Sequence, residues 1–268
     1  MKPRADMAGG KTEGDRKFVV ALARGLEVLR AFRPSDGMLG NKEIAERTGL
    51  PRPTVTRITY TLCQLGYLAR IARFDKYSLA PSAITIGYAA LAGFGLRRVA
   101  RPFMEDVARD LSAPVALGVI DRSAVLYVDI ARGTAAFTIQ LEIGSRLPLL
   151  TTAMGRALLA ATPPAERAAI LEPLRASHGT DWPAIEAELE AAYASCARDG
   201  YTSVTAAWRS DIHSVAVPLV AHDGSGVYAF NCGGPPHQFT ADFMRDRVAP
   251  AMLGMKARIE AALDGGFE

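Results

Sequence analysis

The stretch from Asn41 to Leu79, NKEIAERTGLPRPTVTRITYTLCQLGYLARIARFDKYSL, leaves a chain few ways to fold. Its first part reads as a two-turn helix: Asn41 offers a short polar side chain to an early orphan N–H, and Gly49 supplies the left-handed residue that ends the helix. Leu50-Pro51-Arg52-Pro53 then forces a turn, because a residue before proline is pushed out of the helical region and Pro53 is tolerated only in the first turn of a helix. A second helix therefore starts near Pro53 and runs to Leu65, where Gly66 stops it. Two short β-rich runs follow, 67–71 and 76–79. Two helices across a tight turn, followed by a hairpin, give a winged helix-turn-helix.

At 100° per residue, Val55, Ile58, Leu62 and Leu65 fall on one side of the second helix. Arg57, Tyr60 and Gln64 fall on the other, flanked by Thr54 and Thr56, with Arg52 in the turn just before. Arg and Gln bond bidentately to base edges, while hydroxyls and helix N-terminal amides hold phosphates, so this face suits a DNA groove. Arg70, Arg73 and Lys76 cluster around the hairpin turn, where a wing lays cations along phosphates. Charge supports the assignment: residues 1 to 80 hold 15 Lys and Arg against 8 Asp and Glu, leaving 16 against 20 for the rest. The net charge of +3 hides a basic front third on a slightly acidic remainder, which is an electrostatic footprint for nucleic acid.

Upstream, residues 1–16 mix charge with glycine and lack periodicity, so disorder is expected there, with a basic minor-groove arm through Lys2, Arg4 or Lys11 as the alternative. Phe18, Leu22, Leu26 and Leu29 recur at helical spacing and supply a support helix, which completes a DNA-binding domain over 17–80. Pro81 marks a boundary, and the run from Ala83 to Leu96 reads as a helix apolar on most faces, a linker helix within 81–97. Such a helix has to be covered on more than one side, and the same helix of a second subunit is the favoured cover, since helix-turn-helix proteins pair on two half-sites.

Over 98–268 the pattern changes. A helix is expected over 96–111, then β-rich runs over 114–120 and 124–130, and a third strand over 137–141. Helices over 152–161, 165–171 and 183–198 come next, then strands over 212–221 and 227–232 around the turn 222–226, and a closing helix from Asp242 to about Leu263. Strands and helices in this order, with hairpins among the strands, predict an α+β domain: an antiparallel sheet with flanking helices.

Other chemistry finds little support. His213, His222 and His237 near Cys232 have no metal-binding spacing. Asp211, His213 and Ser214 include the residue types of a hydrolytic triad, but neighbours on a strand point to opposite faces and there is no G-x-S-x-G elbow. Neither a metal nor a cofactor is expected. Cys63, Cys196 and Cys232 are odd in number and widely spaced, which predicts reduced thiols. The apolar run of 14 residues from Ala83 to Leu96 is too short to span a bilayer, and no signal segment is visible, so a cytoplasmic protein without membrane partners is expected.

These residues resemble the IclR-type transcriptional regulators. The likeness lies in ALARGLEVLRAF, in NKEIAERTGLPRPTVTRITYTLCQLGYL and the wing ending YSLAP, and in GSRLPLLTTAMGRALLA, IHSVAVPLV and GVYAFNCGGP. The resemblance implies a winged helix-turn-helix joined by a linker helix to a domain similar to GAF and PAS sensors, a homodimer or tetramer on an operator in double-stranded DNA, and a small organic acid as effector. Carried over by position, it implies an effector site at Ala153, Met154 and Gly155, at Ser214, and at Asn231 and Gly233. Ser214 replaces a cysteine found in some members, and Asn231 and Gly233 replace serines. Segment 202–211 departs from the acidic pattern of members that bind glyoxylate or pyruvate, and Trp208 with Met154 suggests a larger or flatter effector, an aromatic acid. Independently of the resemblance, Thr151 to Gly155 form a helix start with free N–H groups, and Ser214 and Asn231 are polar residues in otherwise apolar strands, as in a small-ligand pocket.

Three readings are in play: a ligand-responsive DNA-binding regulator, which leads; a small-molecule enzyme with an appended basic helical domain; and a DNA-bound oligomerising protein without a ligand.

Overall fold

The computed structural model describes residues 17–133, 141–221 and 226–265. They form two compact units that divide between Gly93 and Phe94.

The first unit opens with α1 (Val20–Arg30), followed by α2 (Asn41–Thr48) and α3 (Arg52–Gln64). Val28, Leu39, Ile44, Val55, Leu62, Leu68 and Tyr77 make its core. Ile44 and Val55 are fully buried, each worth about 1.5–3 kcal/mol by transfer from water. The cap of α2 differs from expectation. Gly40 precedes the helix and its N–H donates to Glu43 Oε2 at 2.7 Å. Asn41 is the first helical residue and is used elsewhere: its Nδ2 donates to Thr56 Oγ1 at 3.2 Å and its Oδ1 accepts from Thr59 at 3.4 Å, tying α2 to α3. Gly49 does end α2, at φ +70°. On α3, Leu65 is 61% exposed and Thr59 is buried in its stead, because the inward stripe follows Val55, Thr59 and Leu62.

Strands β1 (Leu68–Ile71) and β2 (Lys76–Leu79) pair antiparallel as the wing. Leu39 and Tyr77 exchange both backbone hydrogen bonds, at 2.9 and 2.8 Å, which anchors the wing to the segment before α2. Helix α4 begins at Pro81 and ends at Ala92, short of the expected 97, because the chain breaks at Gly93 and Phe94 before α5 starts. None of its residues is buried.

The second unit is built on α5 (Gly95–Asp110), β3 (Val115–Asp121), β4 (Ala124–Ala131), β5 (Arg146–Pro148), α6 (Ala153–Ala161), α7 (Pro164–His178), α8 (Trp182–Asp199), β6 (Thr202–Thr205), β7 (His213–Val220) and β8 (Val227–Gly234). It closes with α9 (Ala241–Phe243), which passes through a widened π turn over 244–248 into α10 (Ala249–Asp264). The six strands form one antiparallel sheet in the order β5-β4-β3-β8-β7-β6. Helix α6 packs on one face with α8 behind it, while α5 and α10 cover the other. The short edge strands β5 and β6 were not expected. Helix α7 runs seven residues past the expected 171, to His178. Of the expected strand 137–141 only Leu141 is described, and most of the turn 222–226 also lies outside the described residues.

A bulge between Leu117 and Gly118 matters for the site. Tyr127 and Ile130, three residues apart, would face opposite sides of a regular strand. The bulge pairs Tyr127 with Gly118 and Ile130 with Ala116, and turns both towards α6. Asp129 faces the other way. It accepts from Arg101 at 2.6 Å and lies 3.2 Å from Arg97, so α5 is clamped to β4 by a buried carboxylate.

Candidate functional site

Two surfaces carry chemistry. The first is the outer face of α3, where Arg52, Thr56, Arg57, Tyr60 and Gln64 are exposed and Thr54 half-buried. Among the described residues no carboxylate pairs with Arg52 or Arg57, so both guanidiniums are available to an anionic partner. Thr56 Oγ1 instead donates back to the Arg52 carbonyl at 3.0 Å, which leaves it only acceptor capacity. The wing cations divide similarly. Arg70 is held by Asp75 at 2.7 Å and Lys76 by Glu43 at 3.1 Å, while Arg73 stacks on the ring of Phe74, 5.3 Å from its centroid. Phe74, half exposed at the wing tip, was not singled out from the sequence; an aromatic residue beside Arg73 in a turn was the available signal.

The scaffold under this face is held by Arg47. Its guanidinium donates to the Ala31 carbonyl at 2.7 Å and makes a forked pair with Asp36. Those bonds, with one from the Arg33 N–H, hold the Asp36 carboxyl below its ordinary range despite partial burial.

The second surface is a cavity of 140 Å³ between α6 and the sheet. Cavities of about 150 Å³ hold one benzene ring. Met154, Trp208, Ser214, Asn231 and Gly233 all line it, as does Thr152 of the expected helix start, together with Tyr127, Ile130, Leu147 and Arg132, which sequence reasoning did not select. Nothing in periodicity marks Tyr127 and Ile130, since the bulge sets their facing. Ser214 Oγ and the Asn231 amide have no hydrogen-bond partner among the described residues, and both are half-buried. Polar groups satisfied inside a core would be bonded to protein; these are presented to the cavity. Arg132 is the charged residue of the lining and is paired with Glu142 at 2.6 Å on the rim.

Ala153 and Gly155 do not line the cavity. Thr152 caps α6 by accepting from the Gly155 N–H at 3.1 Å and donating to the Pro148 carbonyl at 2.8 Å. A Cβ on Gly155 would run into the Leu149 carbonyl oxygen, so the glycine serves a backbone crossing beneath the site. The Gly155 N–H is therefore spoken for, and those of Ala153 and Met154 remain at the helix start. His213 Nδ1 lies 2.8 Å from the Phe239 carbonyl oxygen and Asp211 pairs with Arg209, so neither stands by Ser214. Among the described residues no three His, Cys, Asp or Glu side chains gather as a metal site, and burial pushes the Cys232 thiol up to about 12.

A helix-turn-helix with a wing, followed by a sheet domain enclosing a ring-sized cavity, is the architecture of a DNA-binding regulator with an effector-binding domain. The comparisons agree. Residues 21–72 match the IclR helix-turn-helix domain and residues 88–259 the C-terminal domain of bacterial transcriptional regulator IclR. The chain belongs to the IclR family, whose members are transcriptional regulators and not enzymes, and its C-terminal unit is a GAF-like effector-binding domain. It is 32% identical over 253 residues to the HTH-type transcriptional regulator TsaQ1/TsaQ2 of Comamonas testosteroni, covering 94% of this chain and 91% of that one. An IclR family regulator from Brucella abortus superposes with a TM-score of 0.83 at 43% identity, over 95% and 96% of the two chains. An IclR homologue from Microbacterium hydrocarbonoxydans, solved with 4-hydroxybenzoate, has the same fold at 24% identity, with a TM-score of 0.71 over 92% and 100%. Among the described residues no helix is long and apolar enough to cross a membrane.

Proposed function

We propose that the cavity between α6 and the sheet binds a small aromatic acid, and that its occupation changes the affinity of the α3 face for a DNA operator. The observation that carries this reading is the pairing of unpartnered Ser214 and Asn231 with an apolar wall of Met154, Leu147 and Trp208 around a volume of one ring. The start of α6, where Thr152 and Met154 line the cavity, supplies positive potential for a carboxylate, and Arg132 adds to it when the carboxylate displaces Glu142. The relative solved with 4-hydroxybenzoate supports the aromatic choice.

The protein acts as a homodimer or tetramer. Ile84 and Tyr88 on α4 are each 71% exposed, and Leu22, Leu26 and Leu65 of the same unit are about half exposed or more; large apolar side chains left in water in this way mark contact surfaces. A second copy of α4 covers them. Ligand and operator are then linked through a coupling free energy, since a ligand that prefers one of two arrangements of the units must shift operator affinity by the same factor that operator shifts ligand affinity.

Substituting Asn231→Leu tests the pocket. Operator binding is expected to persist while 4-hydroxybenzoate no longer alters it in an anisotropy titration. A normal ligand response in the variant removes Asn231, and with it this pocket, from the reading.

A further inference from the structure

Gly118 stands on the face of β3 that looks at α6, paired with Tyr127 at the bulge. It is not among the residues that line the cavity, yet it decides where one wall of that cavity lies. A Cβ on Gly118 would come 2.3 Å from the sulfur of Met154, which reaches down from α6. Its next neighbours, the Leu126 carbonyl oxygen and a methyl of Val125, would both be at 3.2 Å and need give only a few tenths of an ångström. Met154 is therefore the principal obstacle.

Backbone geometry does not call for glycine here. The φ of Gly118 lies outside the left-handed region that favours glycine, and a glycine inside a strand weakens it by leaving no side chain to pack. What the missing side chain provides is a seat. The Met154 thioether rests against the bare backbone of β3, the close approach that a strand glycine permits.

The consequence falls on the cavity. Met154 is buried in the core with Leu149, Leu150 and Leu158, and the free space beside it is the cavity that it lines. A methyl group at position 118 would drive the sulfur back by more than about 1 Å before ordinary contact is restored. Close packing leaves that movement nowhere to go but into the ring-sized space. Methionine, unbranched and flexible, yields in this way more readily than the backbone around it.

We infer that Gly118 is a specificity-determining residue of the cavity: by seating Met154 against the sheet it opens a slot wide enough for an aromatic ring, and a side chain at this position closes the slot. That the ring belongs to an effector rests on the function proposed above, whereas the width of the slot does not.

Two probes keep those apart. Benzene carries no charge and reads the space alone, while 4-hydroxybenzoate reads the acid site as well. In the full chain, isotope-labelled in its methionine methyls, the signal absent from Met154→Ala identifies Met154. Benzene is expected to shift that signal saturably in the unsubstituted protein, and Gly118→Ala to need about tenfold more benzene or greater. Calorimetry with 4-hydroxybenzoate completes a double-mutant cycle. Gly118→Ala should weaken binding about tenfold or more beside Met154, and by less than about twofold in the Met154→Ala background, where no sulfur meets the added methyl. If Gly118→Ala does not fold, Met154→Ala decides: with the wall removed, indole, a neutral bicycle, should bind about tenfold more tightly than to the unsubstituted protein. A Met154 signal unmoved by benzene, equal losses in both arms of the cycle, or no gain for indole would each overturn the inference. Benzene binding that Gly118→Ala abolishes, without any binding of 4-hydroxybenzoate, supports the inference and removes the proposed effector instead.

Discussion

Single residues divide the α3 face and its support into readers and fasteners. Arg57 is exposed, lies at mid-helix and pairs with no carboxylate among the described residues, which suits a side chain that reaches a base edge. Arg57→Ala should weaken operator binding by about 1–3 kcal/mol and narrow the gap between operator and scrambled duplex. Equal loss on both duplexes in anisotropy titrations would make Arg57 a phosphate contact. Asp36 is a fastener, and its forked bonds with Arg47 are charge-assisted, so Asp36→Asn should cost about 2 kcal/mol. The sign with pH follows from its depressed pKa. Asp36 stabilises the fold fully above the ordinary carboxylate value, about 3.9, and the contribution fades as pH falls through its lower folded value. Melting curves followed by circular dichroism should therefore separate wild type from Asp36→Asn at pH 7 and bring them together at the acid end; a constant gap would contradict the assignment.

Elements show which features the sequence could declare. Helices α2 and α3 were legible because proline, glycine and a 3.6-residue stripe all point the same way, and the wing because its strands are bounded by a charged turn. The edge strands β5 and β6 were not, since three or four residues rich in Arg, Pro and Thr carry no period. Likewise, the cavity was half legible. Ser214 and Asn231 stand out as polar residues in apolar strands, whereas Tyr127 and Ile130 reach it only through the bulge opposite Gly118. Gly155 was chosen for closeness to a ligand and instead clears the Leu149 carbonyl. Helix α4 is a further case: its apolar run was plain, none of its residues is buried within the chain, and the second subunit proposed to cover it is testable. Replacing Ile84 and Tyr88 together by Glu should shift the oligomer towards monomer in sedimentation velocity and weaken operator binding. Unchanged sedimentation would place the subunit contact elsewhere.

At the scale of the whole molecule, a basic helix-turn-helix unit and a slightly acidic sheet unit share one chain, and regulation requires that ligand on the second be felt by DNA on the first. Arg52 and Arg73 in each of two subunits of the proposed dimer give roughly four phosphate neutralisations, for which affinity falls about a hundredfold between ~50 and ~200 mM salt. A ligand with ordinary allosteric coupling shifts it by about 5- to 150-fold. The most direct measurement is operator affinity by anisotropy, on duplex from upstream of the chain's own gene, across a salt series with and without saturating 4-hydroxybenzoate. Two separated, steeply falling lines of equal slope are the predicted result; a flat salt dependence, or two lines that coincide, would contradict it.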